Sequence, residues 1–215
     1  MRYRHCIFDI DGTLIDTEST GVRSLIQTVQ ELMGREMTYD EAYPYFGIPS
    51  NSVAELFNYP DHTEFEDRWE ENFVAMSHLI KPFEGVEDIL IDAKKAGICT
   101  GIVTSRIKRE INKDPYLMRL ARHMDHVICA GDTERPKPFP DPQYRYMELA
   151  SARLGHEVRK DECIYFGDTE HDCQSAHSAG IAFAYADWRH RGTPPFRVEH
   201  IFSDVESLRD IILGD

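Results

Sequence analysis

Two aspartates one residue apart close a short apolar run near the start of the chain: His5-Cys6-Ile7-Phe8-Asp9-Ile10-Asp11-Gly12-Thr13. In extended backbone, residues two apart point to the same side, so the Asp9 and Asp11 carboxylates would stand close together. Two such groups repel. They ionise together when a cation sits between them or water reaches both, and otherwise one takes a proton. The pair therefore offers a metal site, an acid/base pair, or a solvated turn after a strand. A calcium loop fails on spacing, because it needs Gly at its sixth position and Glu at its twelfth. This chain has Leu14 and Thr20 there.

Residues suited to the same chemistry recur further on. Thr104-Ser105 follows the apolar run 98–103, Lys137 lies in Arg135-Pro136-Lys137-Pro138, and Gly167-Asp168 follows the apolar run 163–166 with Asp172 four residues later. Singly they read as a helix cap, a solvated lysine and a turn. Together they suit a Mg²⁺ site for a phosphoryl group. Mg²⁺ takes a few carboxylates alongside waters and phosphate oxygens. Lysine brings a compact positive charge and a hydroxyl brings a directed donor.

The elements that would position these residues alternate. Apolar runs predict strands at 4–9, 98–103, 126–129, 162–166 and 181–185, with a short one near 200–202. Helical spacing fills the gaps, including helices over 142–154 and about 173–179, and a helix start at Asp114-Pro115. Such alternation means a parallel sheet covered by helices on both faces, which binds ligands beyond the carboxyl ends of its strands. Between Thr17 and Lys81 the pattern is helical throughout, with no strand. Val22, Leu25, Ile26, Val29, Leu32 and Met33 form one helix stopped by Gly34. Thr38-x-x-Glu41 and Thr63-x-x-Glu66 read as capping boxes, and Ser50 or Asn51 as the cap of a helix between them.

Composition narrows the class. At 215 residues and 41% hydrophobic, the chain can bury one large domain or a core with a small insert. No run approaches the ~18 apolar residues of a membrane span, and the first residues are too short an apolar stretch for a signal peptide. A cytoplasmic protein is expected. The net charge of −14 argues against nucleic acid. Five cysteines without a C-x-x-C pair read as reduced thiols rather than a zinc site.

In order and spacing, Asp9-Ile10-Asp11-Gly12-Thr13, Thr104, Lys137 and Gly167-Asp168…Asp172 resemble the four motifs of the haloacid dehalogenase-like hydrolase superfamily. Asp16-Thr17, Phe46-Gly47-Ile48-Pro49 and Lys137-Pro138-x-Pro140 look like its phosphoglycolate phosphatase branch. The resemblance implies a Rossmann-like catalytic core of residues 1–15 and 82–215, with a helical cap of residues 16–81 inserted after the first strand. It implies Asp9 as the nucleophile of an aspartyl-phosphate and Asp11 as the general acid and then base. Asp9, Asp168 and the Asp11 backbone carbonyl would hold Mg²⁺, with Asp172 orienting the metal shell. Thr104 and backbone N–H groups near Ser105 would bind phosphoryl oxygens, and Lys137 would neutralise charge. The expected activity is Mg²⁺-dependent hydrolysis of a small-molecule phosphate ester by a monomer or homodimer. A phosphomutase, a pyrophosphatase or a non-catalytic phosphate-sensing protein are the alternatives. The dehalogenase branch lacks the second aspartate, so Asp11 favours phosphate chemistry.

Residues 16–80 hold thirteen acids against three bases (Arg23, Arg35, Arg68), so this stretch carries −10 of the −14. A solvated acidic surface is the plain reading, and a neutral or cationic leaving group the sharper one. The basic segment Arg106–Lys113 reads as structural or surface first, with reach to a substrate anion second. Trp188-Arg189-His190-Arg191-Gly192 has no assigned role.

Overall fold

The computed structural model describes residues 2–46, 50–113 and 115–214. In chain order the elements are β1 (His5–Phe8), β2 (Ile15–Asp16), α1 (Glu18–Met33), α2 (Tyr39–Ala42), α3 (Ser50–Leu56), α4 (His62–Ala75), β3 (Lys81–Pro82), α5 (Val86–Lys95) and β4 (Cys99–Ile107). They continue with α6 (Lys108–Lys113), α7 (Pro115–Ala121), β5 (His126–Ala130), α8 (Asp141–Leu154), β6 (Cys163–Gly167), α9 (Glu170–Ala179), β7 (Ala182–Ala186), β8 (His200–Phe202) and α10 (Val205–Leu213). The chain divides into two compact units, Met1–Leu14 with Phe83–Asp215, and Ile15–Pro82.

In the first unit, six strands form one sheet in the order β5-β4-β1-β6-β7-β8, and every pairing is parallel. This is the parallel α/β sheet the alternation predicts and the Rossmann-like core the resemblance implies. β1 is central, paired on both edges, and its four residues are all buried. Burial on both faces is why it reads as an unbroken apolar run rather than an alternating one. On one face Ile7, Val103, Ile128, Tyr165 and Phe183 pack with Tyr146 and Met147 of α8 and Cys173 and Ala176 of α9. Phe8 stacks on Phe166, and Phe202 meets Phe166 edge-on, with residues adjacent in sequence pointing the opposite way. All five cysteines are free thiols. No helix among the described residues is long and apolar enough to cross a membrane.

The second unit builds its own core from Val22, Leu25 and Val29 of α1, Ala42 of α2, Val53 and Ala54 of α3, Phe57, and Phe65 of α4. Gly34 ends α1 in the left-handed region (φ 64°), as the stop signal predicts. Thr38 and Glu41 make the expected capping box.

Four sequence expectations change. α4 starts two residues early, capped by Asp61, whose side chain accepts from the Glu64 amide, and not by Thr63. The ends of the helical stretch, where no strand is expected, form a two-residue antiparallel ribbon: Ile15 pairs with Pro82, and Asp16 with Lys81. Two residues per strand are too few to leave a periodic signal. β4 runs past Val103 to Ile107, and α9 begins at Glu170 rather than near Cys173. Gly47-Ile48-Pro49 and Asp114 lie outside the described residues, as do the side chains of Ser50, Asn51 and Pro115.

Candidate active site

Asp9 is the first residue past β1, and its amide donates to the Phe166 carbonyl at 2.8 Å. That bond extends the β1–β6 ladder by one residue and holds Asp9 at the carboxyl edge of the sheet. Gly12 then turns the chain at φ +73°, a conformation that favours glycine. A Cβ on Gly12 would lie 2.1 Å from Asp168 Oδ2, so the missing side chain also makes room for that carboxylate.

Thr104 sits where β4 loses register. Val103 pairs with Ile128, but the next pair is Ile107 with Ala130, so β4 spends four residues where β5 spends two. The extra residues bulge out of the ladder, which is how sheets re-aim side chains at their rims. Thr104 is buried, Ser105 is exposed, and the Thr104 hydroxyl oxygen accepts from the Arg106 amide at 3.1 Å.

Lys137 joins the end of β1 to the start of α9. Its Nζ donates to Asp9 Oδ1 (2.8 Å), Asp172 Oδ1 (2.7 Å) and the Tyr165 hydroxyl (3.2 Å). Asp172 is fully buried, and its other oxygen accepts from the Thr169 hydroxyl (2.6 Å) and amide (3.1 Å). Thr169 and Asp172 form a capping box that starts α9, with Asp in the place usually taken by Glu or Gln. That variant hides the early helix start. Gly167 leaves space for this carboxylate, since a Cβ there would lie 2.6 Å from Asp172 Cβ.

The charges are unevenly matched. Burial pushes the Asp9 carboxyl up to about 7, with Asp172 and Asp11 adding to the rise and Lys137 opposing it. Asp168 stands well above the usual carboxylate range, first through burial and then through Asp172 and Asp9. Burial would raise Asp172 too, but the Lys137 charge and the bonds from Lys137, Thr169 and Tyr165 hold it low. Lys137, despite burial, is held charged by Asp172 and Asp9.

These residues fit a divalent cation. Among the described residues, oxygens of Asp9, Asp168 and Asp172 lie within 4.8 Å of one another. Asp168 Oδ1 is buried without a hydrogen-bond partner. An orphaned carboxylate oxygen in an all-oxygen donor set, beside carboxyls destabilised as anions, suits a hard ion such as Mg²⁺. The Asp11 carboxylate does not join this cluster.

It turns instead to Arg106. Arg106 Nε donates to Asp11 Oδ2 at 2.8 Å, and Nη2 donates to Oδ1 at 2.7 Å. The sequence favours a structural or surface role for this basic segment, whereas in the structure Arg106 is a second cation beside the paired aspartates, bound to Asp11. Tyr165 is the other residue the sequence reading missed. Its hydroxyl lies 2.8 Å from the Val103 carbonyl and 3.0 Å from Asp172 Oδ1, and its one proton serves one of them. A tyrosine in a fully buried strand needs a polar partner, and that was the available signal. Trp188 also gains a role. Its indole N–H donates to the Thr13 carbonyl at 3.1 Å, and its ring stacks on Phe83, buttressing the loop that carries Asp11.

A pyrophosphatase PpaX from Bacillus velezensis is 28% identical over 96% of this chain and 93% of its own length. A protein from Caldanaerobacter subterraneus, provisionally named pyrophosphatase PpaX, is 28% identical over 100% and 96%. The crystal structure of a Lactobacillus plantarum protein provisionally named a phosphoglycolate phosphatase superposes with a TM-score of 0.79 at 21% identity, covering 98% of this chain and all of that one. At that identity the likeness bears on the fold. Residues 6–186 match the model of the haloacid dehalogenase-like hydrolases, and with the carboxylates, lysine and hydroxyl of that pattern on one sheet edge, the chain belongs to this family.

Proposed function

We propose that the chain is a Mg²⁺-dependent phosphatase that hydrolyses a small phosphate ester through a phosphorylated Asp9, with residues 16–81 serving as its cap. The observation that carries this reading is the placement of Asp9, buried at the end of the central strand, 2.8 Å from the Lys137 ammonium and within the oxygen cluster of Asp168 and Asp172.

An Asp9 oxygen attacks phosphorus. The bond from phosphorus to the leaving oxygen breaks, that oxygen keeps the electron pair, and Asp11 supplies its proton. Asp11 then takes a proton from water as the water oxygen attacks the same phosphorus. The bond to Asp9 breaks, which restores the carboxylate and releases phosphate. Splitting the reaction lets one acid/base serve both displacements. Bringing a carboxylate onto a phosphoryl dianion costs roughly 4 kcal/mol per pair of unit charges at 4 Å and an effective dielectric of 20. Lys137 offsets part of that cost at Asp9 itself. Asp9, Asp168 and the Asp11 backbone carbonyl would hold Mg²⁺, with Asp172 positioned behind them, and the ion would supply further charge neutralisation. The Thr104 hydroxyl and backbone N–H groups near Ser105 would take the phosphoryl oxygens.

A second reading, hydrolysis of a phosphoanhydride such as pyrophosphate, is favoured by the relatives named pyrophosphatase. Both readings use the same nucleophile. The test is phosphate release across a panel of phosphomonoesters and pyrophosphate with Mg²⁺, with Asp9→Asn as the blank. A loss on the order of 10³-fold or more in that variant is expected. Activity surviving in Asp9→Asn would rule out the covalent route.

A further inference from the structure

We infer that Arg106 is the subsite for a negatively charged leaving group, its guanidinium fork passing from the Asp11 carboxylate to the anion that the leaving group carries. The inference rests on the proposed hydrolase reading and narrows its substrate class. In that reading Asp11 faces the leaving oxygen, so whatever is bonded to that oxygen lies against the partner of Asp11. That partner is Arg106, which now grips a carboxylate through two parallel hydrogen bonds of 2.8 and 2.7 Å. A second phosphoryl group or a carboxylate offers the same pair of oxygens, the geometry a guanidinium binds best.

Three observations support the assignment. Arg106 lies in the bulged end of β4, where its amide donates to the Thr104 hydroxyl and keeps it beside the residue proposed to take the phosphoryl oxygens. Lys137 is not available for the task, being locked between Asp9 and Asp172 on the nucleophile's side. The acidic stretch 16–80 holds three bases against thirteen acids, so its net charge does not favour an anionic leaving group, whereas Arg106 brings positive charge within the core unit. This reverses the neutral or cationic leaving group that the acidic stretch alone suggests, because a count over residues 16–80 cannot include Arg106. The arginine side chain is 18% exposed and the Asp11 side chain 34%, so the pair is partly shielded from solvent and screened less than a fully exposed one.

The experiment uses the full chain with Mg²⁺ and compares Arg106→Gln and Arg106→Lys with the parent. Substrates are pyrophosphate, phosphoglycolate and 4-nitrophenyl phosphate, the last lacking any anion on its leaving group. Arg106→Gln is expected to lower kcat/KM for one or both anionic substrates about 100-fold, mainly through KM, which corresponds to ~2.7 kcal/mol. The loss on 4-nitrophenyl phosphate should be at least about tenfold smaller, and Arg106→Lys should recover part of the difference. The larger loss on pyrophosphate marks a phosphoryl leaving group, and the larger loss on phosphoglycolate marks a carboxylate. Equal losses on all three substrates would overturn the inference, since Arg106 would then act only by holding Asp11. No phosphate release from any substrate by the parent chain would overturn the hydrolase reading and the inference with it.

Discussion

Lys137 and Asp172 form an ion pair of 2.7 Å in which the lysine side chain is 7% exposed and the aspartate side chain not at all. Because Asp172 also caps α9 through Thr169, one carboxylate fixes a helix start and a lysine contributed by a distant loop. Removing one partner of a buried pair leaves an uncompensated charge, at a cost of roughly 3–5 kcal/mol. Asp172→Ala should fall near ~3 kcal/mol, since Asp9 still partners Lys137. Asp172→Asn keeps an acceptor for Thr169 and should lose about 1–2 kcal/mol. Urea unfolding of both variants checks this, and an alanine variant within the error of the parent would refute it.

Asp168 keeps a buried oxygen without a partner, so adding Mg²⁺ should stabilise the fold without any substrate. At tenfold over Kd the gain is about 1.4 kcal/mol. Asp168→Asn should abolish that gain while raising the melting temperature of the metal-free protein, because it removes a buried carboxylate whose anionic form is disfavoured. Calorimetric melts with and without the ion read both effects.

Gly12 serves two demands at once, a φ of +73° and an open path for Asp168 Oδ2. Gly12→Ala should cost ~1–3 kcal/mol from backbone strain and displace the Asp168 carboxylate. The measurement is the Mg²⁺-dependent shift in melting temperature, which should shrink in this variant even where the apo protein stays folded.

His5 and His126 give the fold an acid limit away from the reaction. Burial lowers the pKa of both below 6.5, and both rings pack edge-on against Tyr146, with His5 Nδ1 3.2 Å from its hydroxyl. Between the lowered folded values and 6.5, the unfolded chain binds more protons than the folded one. Their contribution is therefore complete above pH 6.5 and is lost as the pH falls through that window. Each histidine changes the slope by at most ~1.4 kcal/mol per pH unit. Denaturation midpoints measured from pH 7.5 to 5 should fall, and His5→Asn should flatten the curve. An unchanged slope in that variant would assign the acid limit to other groups.

Much of this site is readable before any folding. Asp9, Thr104 and Asp168 each stand at the end of an apolar run, because a parallel strand buried on both faces is mostly apolar and favours polar residues where it leaves the sheet. One edge of the sheet then has to gather residues as distant as Asp9 and Lys137, 128 positions apart. The parallel sheet and the helical stretch after the first strand follow from local periodicities, and the family resemblance rests on the motifs at the strand ends.

Tertiary structure decided the partnerships. Nothing in the sequence joins Arg106 to Asp11 across 95 residues, since a guanidinium on a flexible stem reaches many places and the bulge after Val103 selects one. The Ile15–Asp16 and Lys81–Pro82 ribbon is too short to leave a period, and Tyr165 reads as core until its hydroxyl meets Asp172. By itself the sequence determined which groups reach the carboxyl edge of the sheet, because burial patterning is local. Which of them pair, and so where the charge for a leaving group comes from, depends on side-chain directions that exist only once β4 is packed beside β1.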